Sequence, residues 1–405
     1  MMNSQQCKMA RAVLGWSAAE LATRAQVGTA TVNRFETIHS DTSGTQTKPI
    51  PTTIAAMQRA LEAEGVIFDD TGDGVKTRRT NLIADGEKFA LVAIETRSEV
   101  ELAPTELTPG LWASSRPMIG LEQFWKEQLG SIRMRDFLSC TLFLLTKEQT
   151  TDSTVEQALK GRVWRFYTGM LLADRYGTEQ VPFLITGDRN SAGINVRQVT
   201  TLEPAIHASA NRWHRLSTKQ VQRGAEIGQT IQNFPWIGAP RLNRVLSLYL
   251  EARTRLDWMD RIHQYTRCLD GLTIPPVSGT GKKFAARMTL IVGPTHRDLF
   301  EEIYAIRGAI EHLRENDYTE PFDRAGRLGL VKKAAIVEYV VRSSLVHILE
   351  TKPLWQHFKT KPSLLAFWDL ASADRQNLWG AVIDPMAGIA GFDEAQWSDE
   401  DLGRP

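Results

Sequence analysis

Four side chains near the start of the chain, Thr29, Ala30, Asn33 and Arg34, recur at i, i+1, i+4 and i+5, so a helix through them carries all four on one face. Val32 and Phe35 fall on the opposite face and point to a core. The polar face is a candidate recognition surface. Far along the chain, Arg307 and His312 form an R-x-x-x-x-H pattern, which recurs at Arg342 to His347. Other chemistry is absent from the pattern of residues. Cys7, Cys140 and Cys268 lie far apart and match no zinc or disulfide spacing. Gly279-Thr-Gly-Lys-Lys283 fails as a phosphate loop, because Pro276 stands where the first glycine belongs and Lys283 where a magnesium-binding hydroxyl belongs. No metal and no cofactor is expected.

The elements that must hold the first face in place are legible. A short helix from Cys7 to Trp16 has Met9, Ala10, Val13 and Leu14 as its apolar stripe and ends at Gly15. Ser17-Ala18-Ala19-Glu20 is a capping box that starts a second helix, with Leu21, Ala22 and Ala25 inward. Gln26-Val27-Gly28 is too short a turn for the next helix, Thr29 to Glu36, to fold back antiparallel. That is helix-turn-helix geometry. A closing helix over Thr52 to Gly65 carries Ile54, Met57 and Leu61. Residues 1–60 hold six Lys/Arg against three Asp/Glu, whereas Glu62 to Asp73 adds five acids, so only the helical half is basic.

The segment Ser17 to Glu36 resembles the Xre family, the repressor and Cro type of phage and bacterial regulators, over about the first 70 residues. The resemblance implies that the third helix enters the major groove of double-stranded DNA. Thr29, Ala30, Asn33 and Arg34 would then read base edges, Asn taking adenine and Arg guanine, with Thr and Ala offering contacts to thymine. Ser17, Ala18 and Arg24 would lie near the DNA backbone. The loop Thr37 to Pro51 is longer than the family usually carries; it reads as an insertion, although Lys48 could meet a phosphate.

A polar link near residue 80 leads into a mixed segment, 81–235. Lys88 to Glu95 reads as a strand, Met118 to Arg135 as helical, Phe137 to Thr146 as an apolar strand or buried helix, and Val155 to Tyr176 as a helix. Val181 to Thr186 and Ile194 to Val199 read as strands around a turn-rich loop, Gly187 to Gly193, with Asp188 and Arg189 at its tip. From 236 to 385 helical stripes dominate, including Leu242 to Leu248, Leu256 to Leu272, Lys282 to Val292, Arg297 to Leu313 and Leu328 to Leu349, and a bundle is expected. Residues 386–405 read as an acidic, frayed tail.

Ile306-Arg307-Gly-Ala-Ile-Glu-His312, with Tyr265 to Leu272, Gly279 to Arg287 and Gly293 to Phe300, resembles the HEPN superfamily, its Apea-like branch, over roughly residues 240 to 350. The resemblance implies dimerisation that brings two motifs together and, in many members, RNA cleavage without a metal. His312 would move a proton at the ribose and Arg307 would stabilise charge on the phosphate. A five-residue offset sets the two side chains about 140° apart on a helix, so one chain alone would form a poor site. The same residues equally fit an Arg307–Glu311 pair at i+4 and a histidine beside the negative helix end.

Basic residues (48) and acidic residues (47) nearly cancel over 405 residues, which excludes binding nucleic acid by bulk charge. No apolar run approaches the roughly 20 residues of a membrane helix, and the start lacks a signal pattern. A cytoplasmic protein with no membrane partner is expected. The fold class is mostly α, with an N-terminal four- to five-helix helix-turn-helix module, a mixed α/β middle domain and a C-terminal helical bundle. The expected function is a dimeric, sequence-specific transcriptional regulator. The alternatives are a HEPN endoribonuclease, as a toxin or phage-defence effector with an autoregulatory DNA-binding module, and a sensor whose middle segment binds a small ligand.

Overall fold

The computed structural model describes residues 2–14, 16–37, 51–63, 66–68, 74–77, 82–121, 123–150, 152, 154–190, 193–276, 279–312 and 323–402. The loop expected from Thr37 to Pro51, with Lys48, therefore lies almost wholly outside them, as does Gly15. The chain divides into two units, Met1–Leu82 and Ile83–Pro405.

Among its described residues the first unit has four helices, α1 (Ser4–Leu14), α2 (Ala18–Arg24), α3 (Thr29–Thr37) and α4 (Pro51–Ala63), followed by strands β1 (Val66–Phe68) and β2 (Val75–Thr77). The two strands form an antiparallel ribbon that the turn-rich sequence had concealed. Leu21, Ala22, Val32, Phe35, Met57 and Leu61 meet in one core. The stripe expected on α1 is displaced. Gln6, Cys7 and Ala10 are its buried residues, whereas Val13 is 48% exposed. Burying Gln6 instead of Val13 is affordable because the Gln6 amide donates to the Gly74 carbonyl at 3.2 Å beside β2.

The second unit begins with β3 (Glu87–Ile94), β4 (Thr105–Thr108), β5 (Leu111–Ser114), α5 (Gln123–Ser139), β6 (Leu142–Gln149), α6 (Val155–Ala173), β7 (Phe183–Asn190), β8 (Gly193–Thr201) and α7 (Thr218–Asn233). The strands form one antiparallel sheet in the order β4-β5-β6-β3-β7-β8. Ala90, Val92, Ile94, Leu142 and Leu144 pack under Leu159, Val163, Phe166 and Met170 of α6. On the other face Phe137 stacks edge-on against Phe143 and Phe183. With both faces covered, β3 reads as a continuous apolar run rather than an alternating one. Phe137 belongs to α5, so the apolar run expected from there divides between a helix end and β6.

Among the described residues the later elements of the unit are helices: α8 (Pro240–Ala252), α9 (Trp258–Thr273), α10 (Thr280–Val292), α11 (Arg297–Glu311), α12 (Arg324–Glu350), α13 (Lys352–Phe358), α14 (Lys361–Asp369) and α15 (Ser372–Trp379). The molecule is thus mostly helical, with a small antiparallel sheet in the middle of the chain. Val337, Val340, Val341, Leu345 and Ile348 of α12 run through the core of this helical part.

Two expectations are corrected here. Gly187 to Asn190 do not form a loop tip but continue β7, with Asp188 opposite Asn195 and Arg189 opposite Ile194. Their charges are met across the ribbon and beside it, Asp188 by Arg197 at 2.7 Å and Arg189 by Asp85 at 2.9 Å. The tail is docked through Leu402 rather than frayed. Trp397 and Leu402 are buried against Leu328 and Val331, and the acidic residues that suggested solvation pair with arginines, Asp399 with Arg324 and Arg327, and Asp401 with Arg212. Among the described residues, no helix is long and apolar enough to cross a membrane.

Candidate nucleic-acid interface

The third helix is set by its neighbours. Ser17 Oγ accepts from the Glu20 N–H at 3.1 Å while Glu20 Oε2 accepts from the Ser17 N–H at 2.6 Å, so α2 starts where the capping box requires. The hydrogen bond to the Ser17 backbone holds the Glu20 carboxyl below its ordinary range. After α2, Gln26 takes φ 54°, a left-handed conformation that turns the chain within Ala25 to Gly28 before α3 begins.

A second constraint on α3 is not written in any local pattern. Arg11 of α1 donates from Nε and Nη2 to the two carboxylate oxygens of Glu36, each at 2.7 Å, and from Nη1 to the Trp16 carbonyl at 2.6 Å. Glu36 is only 6% exposed, so this bidentate pair is an internal clamp between α1 and α3. The Cys7 thiol lies 3.5 Å from the same carboxylate, and burial together with that negative charge pushes it up to about 12. It is therefore a neutral packing residue. Arg11 and Glu36 stand 25 positions apart, and only a charge inside an apolar stripe hinted at either.

With Val32, Phe35 and Glu36 inward, Thr29, Ala30, Asn33 and Arg34 are all exposed. The side chains of Asn33 and Arg34 make no hydrogen bond or ion pair among the described residues. Ser17 is exposed and Ala18 partly so, at the start of α2. Arg24 is exposed at the other end of α2, with its guanidinium 4.2 Å from the centre of the Trp16 ring. The face can hydrogen-bond to a ligand without first breaking bonds from Asn33 or Arg34 to the described residues.

The second set of candidates is arranged differently. Arg307 is half-buried on α11, where Nη2 meets Glu311 at 2.9 Å and Asp270 at 3.9 Å, and Nη1 donates to Tyr304 Oη at 3.2 Å. His312 is exposed just past the helix end, its N–H donating to the Gly308 carbonyl at 3.2 Å. No hydrogen bond or ion pair joins the two side chains among the described residues. The Arg307–Glu311 contact is the i+4 pair that the alternative reading expected, whereas the neighbours from α9 are residues that the motif did not indicate. Asp270 and His263 come from α9, and Asp270 Oδ1, His263 Nε2 and Arg307 Nε are buried without partners. Burial raises the Asp270 carboxyl and lowers His263. In the repeated pattern, Arg342 bonds to Glu338 at 3.0 Å and His347 to the Trp379 carbonyl at 2.7 Å, both in the packing of α12.

All three cysteines are buried and unpaired, and among the described residues no group of three or more His, Cys, Asp or Glu side chains could hold a metal ion. The chain matches no protein family, no curated protein and no solved structure.

Proposed function

We propose that the chain is a sequence-specific regulator of transcription that binds double-stranded DNA as a homodimer, with α2 and α3 acting as a helix-turn-helix of the phage repressor and Cro kind. The observation that carries this reading is the exposed face of α3, where Asn33 and Arg34 are free to bond outward while Val32 and Phe35 anchor the helix from behind. Asn33 suits adenine and Arg34 guanine, each good bidentate pair being worth about 1–3 kcal/mol of discrimination. Ser17 and Arg24 would meet phosphates and fix the register. One such module reads few base pairs, so two copies on half-sites about one helical turn apart supply the specificity. The test is selection from a pool of randomised duplex by the full chain. Enrichment of paired half-sites supports the reading, and recovery of a random pool at moderate salt removes it.

A second reading, metal-independent RNA cleavage by two copies meeting at α11, draws support from the buried unpartnered atoms around Arg307. Burial lowers His263, which would act as base there, in place of or beside His312. RNA integrity measured with wild type, Arg307→Ala, His263→Ala and His312→Ala separates these roles. Equal RNA integrity in all four samples removes the enzyme.

A further inference from the structure

A cavity of about 730 Å³ opens in the second unit between α6, the end of β8, α7 and α8. That volume is in the range that buries most of a small-molecule ligand. Its walls include Trp164, Tyr167 and Trp236, with Leu202, Leu246 and Leu250 beside them. Three aromatic rings on one cavity supply flat apolar surface for another ring.

The buried charge of the wall and one of its carboxylates are already committed. Arg253 is 1% exposed, and its donors go to the carbonyls of Leu171, Asp174, Tyr176 and Ile206 and to Tyr249 Oη. Glu251 is held by Arg255 at 2.6 Å and Arg165 by Gln232 at 2.9 Å. The remaining carboxylate, Glu203, is exposed to solvent. Apart from Arg165, whose partner Gln232 is neutral, and Glu203, both reached by solvent, a charged ligand would therefore find no counter-charge inside. Two hydroxyls are in the opposite condition. Tyr167 Oη and Thr168 Oγ1, on adjacent residues of α6 that both line the cavity, are closed to solvent and have no hydrogen-bond partner among the described residues. A buried polar group left unpaired is costly, and a partner entering the cavity would relieve it.

We propose that this cavity binds an uncharged, ring-bearing small molecule, its rings lying among Trp164, Tyr167 and Trp236 and one or two polar atoms pairing with the hydroxyls of Tyr167 and Thr168 after a small rotation of those side chains. The site lies wholly within the second unit, so it stands or falls independently of DNA binding.

The test titrates the full chain with Nile red, an uncharged ring dye. One saturable site with enhanced dye emission and quenched tryptophan emission is expected. Ser247→Trp and Asn243→Trp, at exposed positions of the cavity wall on α8, should each weaken dye binding at least tenfold without changing the melting temperature; if one variant misfolds, the other decides. In competition, 2-naphthol should displace the dye at least threefold better than naphthalene, and Tyr167→Phe together with Thr168→Val should erase that preference. Absence of saturable dye binding, or binding unchanged in a folded tryptophan variant, overturns the site. Saturable binding of the anionic dye anilinonaphthalene sulfonate without binding of Nile red overturns the uncharged class. No preference for the naphthol overturns the role of the hydroxyls.

Discussion

Replacing Arg11 by Met removes one half of the clamp that fixes α3 while keeping a long side chain on α1. Glu36, 5% exposed at its side chain, would be left without its counter-charge, and the Trp16 carbonyl would lose its donor. Breaking one side of a buried ion pair costs about 3–5 kcal/mol, and the 19% exposure of the Arg11 side chain argues for the lower end, about 3 kcal/mol. At about 1.4 kcal/mol per factor of ten, amide protection in α1 to α3 should fall about 150-fold. Hydrogen exchange read by mass spectrometry on peptides from residues 2–37 of the full chain measures this, with peptides from α12 as an internal control. Adding Glu36→Met should restore most of the protection, because removing both charges leaves no uncompensated group. A loss of less than threefold for Arg11→Met, or no recovery in the double variant, would refute the clamp.

Burial, and then the neighbouring His214, lowers His207 from 6.5 to about 3. The unfolded chain therefore takes up a proton below pH 6.5 that the folded chain refuses, so this part of the stability is complete above 6.5 and is lost as pH falls toward 3; at pH 5 the loss is about 2 kcal/mol. Urea midpoints at pH 7 and 5 should converge in His207→Gln relative to wild type. Gly169→Ala would set a Cβ 2.2 Å from the Gly224 carbonyl oxygen and 2.5 Å from the Gly228 nitrogen, forcing α6 and α7 apart at a cost of about 3 kcal/mol, whereas Gly308→Ala meets nothing within 4 Å and should be neutral or stabilising in the same urea series. Trp397→Ala should release the docked tail and make the region after Gly391 cleavable by protease at concentrations that leave wild type intact.

The local signals in the sequence were the durable ones. The Ser17–Glu20 box, the inward Val32 and Phe35 and the stripe of Met57 and Leu61 depend on neighbours within four residues, and the structure has them where periodicity and capping chemistry require. What escaped depends on partners remote in sequence. Val13 looked like core but yielded to Gln6 because Gly74, just before β2, supplies the amide with a carbonyl. Asp188 and Arg189 looked like a loop tip because charge and glycine mark turns, yet ion pairs with Arg197 and Asp85 let the strand continue. The tail looked solvated by its acids until arginines from elsewhere met them. The candidate site divides in the same way. The face of α3 and the Arg307–Glu311 pair were legible from helical spacing alone, while the Arg11–Glu36 clamp, the approach of Asp270 and His263 to Arg307 and the cavity beside α6 arise from elements that meet only in the folded chain.

On the proposed function, side chains on the outer face of α3 read DNA bases. The direct measurement is the affinity of the full chain for a selected duplex and for its single-base variants, made with wild type, Arg34→Ala and Arg59→Ala, the last an exposed arginine on α4 outside that face. Arg34→Ala should lose about 1–3 kcal/mol and become indifferent to one base position, while Arg59→Ala should stay within about threefold of wild type and keep its preferences. Equal losses in both variants with specificity unchanged, or no loss in either, would contradict that reading.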